Sequence, residues 1–184
     1  MAITINGSGT IGGVSVGGLP DGIVDTDMLA SAAVTSAKVG SLADSNMPAG
    51  SVLQVVQATQ STNVTTTGTT LIDTGLSVNI TPSSSSSKVL IQLHQHIYIN
   101  SDNGFGWQLL RDSTELYYFW NVIHTQTAGN NYQFHPFVYL DSPATTSQIT
   151  YKTKFQSRDS GELAGVSDGS RANNCVIIAM EIAG

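Results

Sequence analysis

The longest run in which apolar and polar residues alternate lies at residues 89–99. Five consecutive serines at positions 83–87 precede it, and they indicate a loop because serine cannot bury apolar surface. An alternation with period two is typical of a β-strand that has one dry and one polar face. The two faces are Val89, Ile91, Leu93, Ile97 and Ile99, and Gln92, His94, His96 and Tyr98. We take this segment as the central strand of an all-β domain.

Shorter segments of the same kind follow Pro48 at regular intervals. Gly, Asn, Asp, Ser and Pro fill the gaps between them, and no segment of this region has a helical period. The predicted strands are 52–57, 70–73, 76–80, 89–99, 107–111, 115–123, 132–140, 148–155 and 176–182. Strands of this number and length predict a two-sheet β-sandwich of the jelly-roll type.

Residues 1–47 have a different composition from the rest of the chain. They are rich in glycine, and residues 24–30 resemble residues 34–40 at a spacing of ten. A small repeat that cannot bury its own apolar face needs neighbours, and in a narrow shaft those neighbours are copies in other chains. We therefore predict an extended Gly-rich arm or short shaft at 1–47 and a β-sandwich head at 48–184.

The predicted strand at 115–123 is apolar on both of its alternating faces. Antiparallel sandwich strands usually keep one face wet, so a strand that is dry on both faces needs a second surface to cover it. A subunit interface would supply that surface. The proposed interface residues on one face are Leu116, Tyr118, Trp120 and Val122, and the opposite face carries Tyr117, Phe119 and Ile123.

Composition narrows the range of functions. Only 11% of the residues are charged and the formal net charge is −6 with 7 Lys plus Arg, which argues against nucleic-acid binding because phosphates require clustered cations. The sequence has no long apolar run and no basic amphipathic helix, so we expect no insertion into a membrane. Without a signal-peptide pattern, we expect the protein to be made and folded in a cytoplasm. Cys175 is the only cysteine, so no internal disulfide is possible, and we expect a buried thiol that packs as a small apolar side chain.

Two short motifs resemble catalytic or cofactor signatures without their structural context. Residues 7–12 fit G-x-G-x-x-G, but the residues that follow cannot open the helix that dinucleotide binding requires. Residues 165–169 fit G-x-S-x-G, but all four histidines lie upstream of the serine and the flanks predict a turn. We therefore expect neither an enzyme nor a cofactor.

His94 and His96 form the one pair that resembles a metal site. Residues two apart on a strand point the same way, so both imidazoles can approach one ion. One chain supplies too few ligands, but a threefold axis would bring six together. The alternative is that both are ordinary polar residues on a partly solvated strand face.

Several stretches together resemble phage tail-fibre and virion-surface proteins, including fibres of phages that infect cyanobacteria and marine bacteria. The stretches that carry the resemblance are residues 3–11, 33–38, 48–57, 80–91, 140–146 and 180–184. The resemblance implies a homotrimer with an N-terminal attachment segment and a C-terminal β-head. It also implies a virion location after assembly in the host cytoplasm. With almost no shaft, such a protein would be a short fibre, a tip or a decoration.

Two functions follow from this resemblance. In the first, a short trimeric tail fibre docks through residues 1–47 onto a tail adaptor or baseplate protein and presents its head to the host. In the second, a trimeric capsid decoration protein binds the shell through the same arm. For the fibre, a neutral surface glycan suits an acidic, lysine-poor head, and aromatic residues near turns would stack on its sugars. The candidates are Phe105, Trp107 and Tyr132, with the alternative that these rings fill the core or an interface.

Overall fold

The computed structural model has two units, residues 1–43 and 44–184. The residues that the structure describes are Thr4–Ile5, Ile11–Gly12, 43–100, 103–125, 129–167 and 175–184. In the first unit, β1 (Thr4–Ile5) pairs antiparallel with β2 (Ile11–Gly12). The remainder of the predicted arm, including the repeat at 24–40, lies outside the described residues. The predicted boundary at residue 48 stays a prediction.

The second unit is built almost entirely from strands. A short 3-10 turn, Asp44–Asn46, precedes them. The strands are β3 (Val52–Gln60), β4 (Val64–Thr66), β5 (Ile72–Ile80), β6 (Lys88–Asn100), β7 (Asn103–Arg111), β8 (Thr114–Thr125), β9 (Asn130–Asp141), β10 (Ile149–Ser157), β11 (Ala164–Val166) and β12 (Cys175–Ile182). No described helix is long and apolar enough to cross a membrane.

The strands form two antiparallel sheets that pack as a sandwich. The smaller sheet has the order β5-β10-β7-β8. In the larger sheet, β9 pairs with one edge of β6 along its whole length. The other edge of β6 pairs first with β12 and then with β11, and these strands in turn pair with β3 and β4. The prediction of an all-β sandwich is confirmed.

The core lies between the sheets and takes its residues from alternate positions of the strands. β6 supplies Val89, Ile91, Leu93, Ile97 and Ile99, all buried, so the predicted dry face of the central strand is confirmed. The opposing sheet supplies large rings and aliphatic side chains. Its fully buried members include Leu76, Phe105, Trp107, Leu109, Tyr151 and Phe155.

Two polar side chains inside the sandwich, Gln95 and Asp141, accept hydrogen bonds from residues of the opposite sheet. Gln95 lies on the core face of β6 at 0% exposure, and its Oε1 accepts a 2.8 Å hydrogen bond from Trp107 Nε1. Asp141 accepts 2.7 Å hydrogen bonds from Arg111 and from the hydroxyl of Tyr151. Burial, and then the bond to Asp141, raise the pKa of Tyr151, so this phenol stays protonated. Each of these hydrogen bonds joins a residue of the larger sheet to a residue of the smaller sheet. Separating the sheets would leave buried polar groups without partners, which is costly.

The serine loop predicted at 83–87 lies between β5 and β6, and it has a structural role that its composition does not indicate. Glu181 on β12 is fully buried, and its carboxylate accepts bonds of 2.7 Å from both the backbone N–H and the hydroxyl of Ser83. Gln54 donates to the same carboxylate at 2.6 Å. The loop therefore supplies donors to a buried acid near the C-terminus.

Candidate interaction surface

The outer face of the larger sheet has a continuous set of neutral side chains across four adjacent strands. The register places Val55, Met180, Leu90 and Leu140 in one row across β3, β12, β6 and β9. The next row is Gln57, Ile178, Gln92 and Val138, and the one after it is Thr59, Val176, His94 and Pro136. Along β6 and β9 the surface continues with His96 and Phe134, then Tyr98 and Tyr132. We call this set of residues the outer apolar face.

The outer apolar face contains no Asp, Glu, Lys or Arg, although the chain has a net charge of −6. Its members at the two lateral strands are well exposed: Val55 is 59%, Val138 61% and Leu140 51% accessible. A shallow hollow of about 360 Å³ lies in its middle, with His94, Pro136 and Ile178 among its lining residues. Large apolar side chains grouped in this way on a sheet surface are typical of an interaction site.

Stacked rings occupy the end of the outer apolar face that β6 and β9 form alone. His94 stacks on Phe134 with 4.4 Å between ring centroids, and His96 stacks on Tyr132 at 5.8 Å. Tyr98 packs against Tyr132 at 5.4 Å. Cross-strand ring pairs of this kind stabilise antiparallel sheets and hold the rings in fixed orientations.

Gly165 on β11 fixes the position of the Tyr98 ring. The two residues are cross-strand partners, and a Cβ at position 165 would overlap the ring. The Tyr98 hydroxyl donates to Asn63 Oδ1 at 3.0 Å, which ties the ring to the loop before β4. The absence of a side chain at Gly165 therefore lets Tyr98 lie flat on the sheet.

The outer face of the smaller sheet has the opposite character. Lys152 and Lys154 on β10 stand opposite Ser77 and Asp73 on β5, and the Lys152 ammonium lies 3.4 Å from the Asp73 carboxylate. A face with both signs of charge and small polar residues suits contact with water. The part of this surface that β5 and β10 form therefore differs in character from the outer apolar face.

Of the three predicted receptor contacts, two are not at the surface. Phe105 and Trp107 are 0% exposed, and the expectation that a loop presents them is wrong. The sequence suggested a turn around Gly104, but β7 begins at Asn103 and Gly104 pairs with His124. Both rings then point inward, so the alternative that they fill the core holds. Tyr132 is 53% exposed and lies on the outer apolar face.

The predicted interface strand is β8, an edge of the smaller sheet. Register shifts opposite Gly106 and between Leu109 and Leu110 interrupt its alternation, so the four predicted residues do not share one environment. Leu116 and Val122 are half-buried and pack against the core. Tyr118 is half-buried and accepts a hydrogen bond from Gln156, and Trp120 is 57% exposed. A role of these four residues of β8 in an interface stays a prediction.

His94 and His96 lie on the same face of β6, as the i, i+2 spacing predicts. Each stacks on rings of β9, which supports the reading of a partly covered polar face. No group of three or more metal-ligating side chains is found among the residues that the structure describes. A metal shared by several chains stays a prediction.

A third histidine lies between the edges of the two sheets. His135 on β9 is surrounded by the rings of Trp107, Phe119 and Phe137, with centroids 4.9 to 6.1 Å away. Burial lowers the pKa of His135 from 6.5 to about 4, so the imidazole is neutral at neutral pH. It packs as an aromatic ring at the seam between β8 and β9.

The G-x-S-x-G segment is partly a strand and not wholly the predicted turn. Gly165 and Val166 belong to β11, and Ser167 leaves the strand with a φ of 54°. The Ser167 side chain is buried and its hydroxyl donates to the carbonyl of Ser61 at 2.8 Å. The described part of this motif thus fastens β11 to the loop before β4.

No family model and no curated protein matches this chain. Among solved structures, the chain is similar to a chain in the structure of infectious bursal disease virus Gt strain, with 14% identity and a TM-score of 0.41. It is also similar to the Gx strain of the same virus, with 16% identity and a TM-score of 0.42. The alignments cover 79% and 78% of this chain and 42% of each of those chains. The crystal structure of the VP2 subviral particle of that virus matches at 14% identity and a TM-score of 0.39, over 70% of this chain and 36% of the other. The chain therefore spans less than half the length of these viral structures, to which it is similar at low identity.

Proposed function

We propose that this protein is a structural component of a phage particle, a short trimeric tail fibre that docks through residues 1–47 and presents its sandwich to the host. The observation that carries the proposal is the outer apolar face, a neutral surface across four strands opposite a sheet face that is charged and polar. A protein whose sandwich has one such face is suited to assembly. The phage context comes from the resemblance of the arm and head sequences to tail-fibre and virion-surface proteins.

The proposal assigns separate tasks to the two parts of the chain. The arm binds a tail adaptor or baseplate protein, and the head contacts its own copies and the host surface. Of the aromatic residues predicted to contact the host, Phe105 and Trp107 are buried, and Tyr132 lies on the outer apolar face. A neutral glycan remains the ligand class that suits an acidic head with few lysines.

Labelling of purified virions tests this function directly. Particles carrying a small epitope at the C-terminus would be imaged with gold-conjugated antibody, and the copies per particle would be measured by quantitative mass spectrometry. We expect label at the tail, in a few sets of three copies. Label spread over the shell in much higher copy number would instead identify a capsid decoration protein. Particles without the protein would contradict a virion role altogether.

A further inference from the structure

We infer that three copies of the outer apolar face pack around a threefold axis that runs along the strands, with β9 of each copy beside β3 of the next. This inference rests on the proposed trimeric fibre and specifies the surface that forms it. It moves the main contact away from β8, where the sequence pattern had suggested it. The occupant of the face is thus a second and a third copy of this chain.

The width of the face suits this arrangement. Four strands spaced about 4.8 Å apart make a surface roughly 19 Å wide. Three such surfaces enclosing an axis as a triangular prism would each lie about 5.5 Å from it. Packed sheets are about 10 Å apart, so each contributes a side-chain layer of about 5 Å. Side chains of ordinary size would therefore fill the centre without a channel or a clash.

The size and charge of the face point to the same partner. Where all four strands contribute it measures roughly 19 by 17 Å, on the order of 300 Å² in projection. Phe134 and Tyr132, which are 52% and 53% exposed, extend it along β9. Monomers rarely expose contiguous apolar patches larger than a few hundred Å². Because the outer apolar face carries no Asp, Glu, Lys or Arg, copies that meet through it bring no like charges into contact, although each chain has a net charge of −6.

The row that contains Val55 and Leu140 offers a precise test. These residues are 59% and 51% exposed and stand at opposite lateral strands of the same row. In the threefold arrangement, Val55 of one copy meets Leu140 of the next, whereas like residues stay apart. The full-length double variant Val55→Cys/Leu140→Cys would be oxidised and run on a non-reducing denaturing gel. The native Cys175 is fully buried and stays silent.

We expect covalent trimers from the double variant and monomers from each single cysteine variant. A double variant that folds but stays monomeric would overturn the inference, and so would dimers from either single variant, which indicate a twofold contact. Adding Val138→Lys to the double variant should abolish cross-linking, because it places a charge inside the contact. The matched change Ser77→Lys, on the polar outer face of β5, should leave cross-linking unchanged.

Three outcomes separate this inference from its alternatives. Glycan binding that Val138→Lys abolishes, together with no cross-linking, would assign the face to a receptor and overturn the trimer contact. Labelling of virions is independent of the cross-linking result. A cross-linked trimer that is absent from particles would refute the proposed function and support the threefold packing. A labelled tail without cross-linking would support the proposed function and refute the threefold packing.

Discussion

At the scale of single residues, Trp107 and Tyr132 show the difference between a ring in the core and a ring on the sheet surface. Both were candidate receptor contacts, but Trp107 is fully buried and Tyr132 is half exposed. We expect Trp107→Ala to lower the free energy of unfolding by about 3–5 kcal/mol, because it empties a core position. It also leaves the Oε1 atom of Gln95 without its donor. Chemical denaturation followed by near-UV circular dichroism measures this loss.

Tyr132→Ala is the matched control for that experiment. Its ring is half exposed and stacks on rings of β6, so the free energy of unfolding of the monomer should fall by about 1 kcal/mol or less, the size of a cross-strand ring pair. A large loss for Tyr132→Ala, or a small one for Trp107→Ala, would show that the roles of these two rings have been assigned the wrong way round.

Glu181 makes stability depend on pH in the acid range. Burial by itself would raise the pKa of Glu181, but hydrogen bonds from Gln54 and from serines of the 83–87 loop outweigh it and lower the pKa below the ordinary 4.5. Since the folded-state pKa is the lower one, this stabilisation is complete above about pH 4.5 and is lost as the pH falls through the folded-state value. Thermal unfolding from pH 7 down to pH 3 measures the loss.

Glu181→Gln should remove part of that dependence. The amide cannot accept all the donors that the carboxylate accepts, so we expect a loss of about 1–3 kcal/mol at pH 7. The pH profile below 4.5 should flatten, because the substituted group no longer titrates. Asp73→Asn is the control, since that carboxylate is exposed and its ion pair with Lys152 contributes little. An unchanged acid profile in Glu181→Gln would contradict this role.

At the scale of elements, the sequence predicted strands best where alternation was long. The central segment 89–99 is β6 with one residue added at each end. The predicted strands at 70–73 and 76–80 are one strand, β5, in which Gly75 adopts a φ of 85° without ending the pairing. β4 and β11 were missed because three residues are too few to show a period.

The location of the apolar surface could be read from sequence only in part. The pattern identified β6 as two-faced, but the contribution of β3, β9 and β12 depends on which strands pair and in what register. The choice of β8 as the interface assumed unbroken alternation, which its register shifts prevent. Phe105 was misplaced because Gly104 suggested a turn, and a second glycine, Gly106, follows it. In the structure, Arg158 and Gln156 cover these glycines within the sheet.

The contact between β11 and β6 supplies a prediction at this scale. Gly165→Ala introduces a methyl group where the Tyr98 ring lies, so either the ring or the short strand must move. We expect a loss of about 1–3 kcal/mol in the free energy of unfolding, as for other overpacked sites. Gly68→Ala is the control, because a Cβ there would make only an ordinary contact, 3.6 Å from Thr66.

A double-mutant cycle shows whether Tyr98 is the cause. If the ring is what the added methyl displaces, Gly165→Ala should cost little once Tyr98→Ala has removed it. The two changes would then be strongly non-additive, as expected for residues in contact. Additive losses would mean that the cost of Gly165→Ala comes from the backbone of β11 and not from the ring.

At the scale of the whole molecule, we propose that residues 1–47 attach the protein to the particle and that the sandwich folds independently of them. Residues 44–184 form a compact unit that contains all the buried core residues of the sandwich. A unit with its own core can fold without the segment that precedes it. The anchoring role of residues 1–47 comes from the resemblance of this segment to the attachment segments of phage fibres.

Deleting residues 2–40 tests that division. We expect the shortened protein to keep the thermal transition of the head, since its core is intact, and to be absent from purified particles when it replaces the full-length protein during infection. Ser77→Lys in the full-length chain is the control for a surface change that should leave incorporation unaffected. Mass spectrometry of particles measures incorporation, and circular dichroism measures folding. If the shortened protein enters particles at the normal level, attachment belongs to the head, and the outer apolar face then becomes the first candidate for the surface that binds the virion.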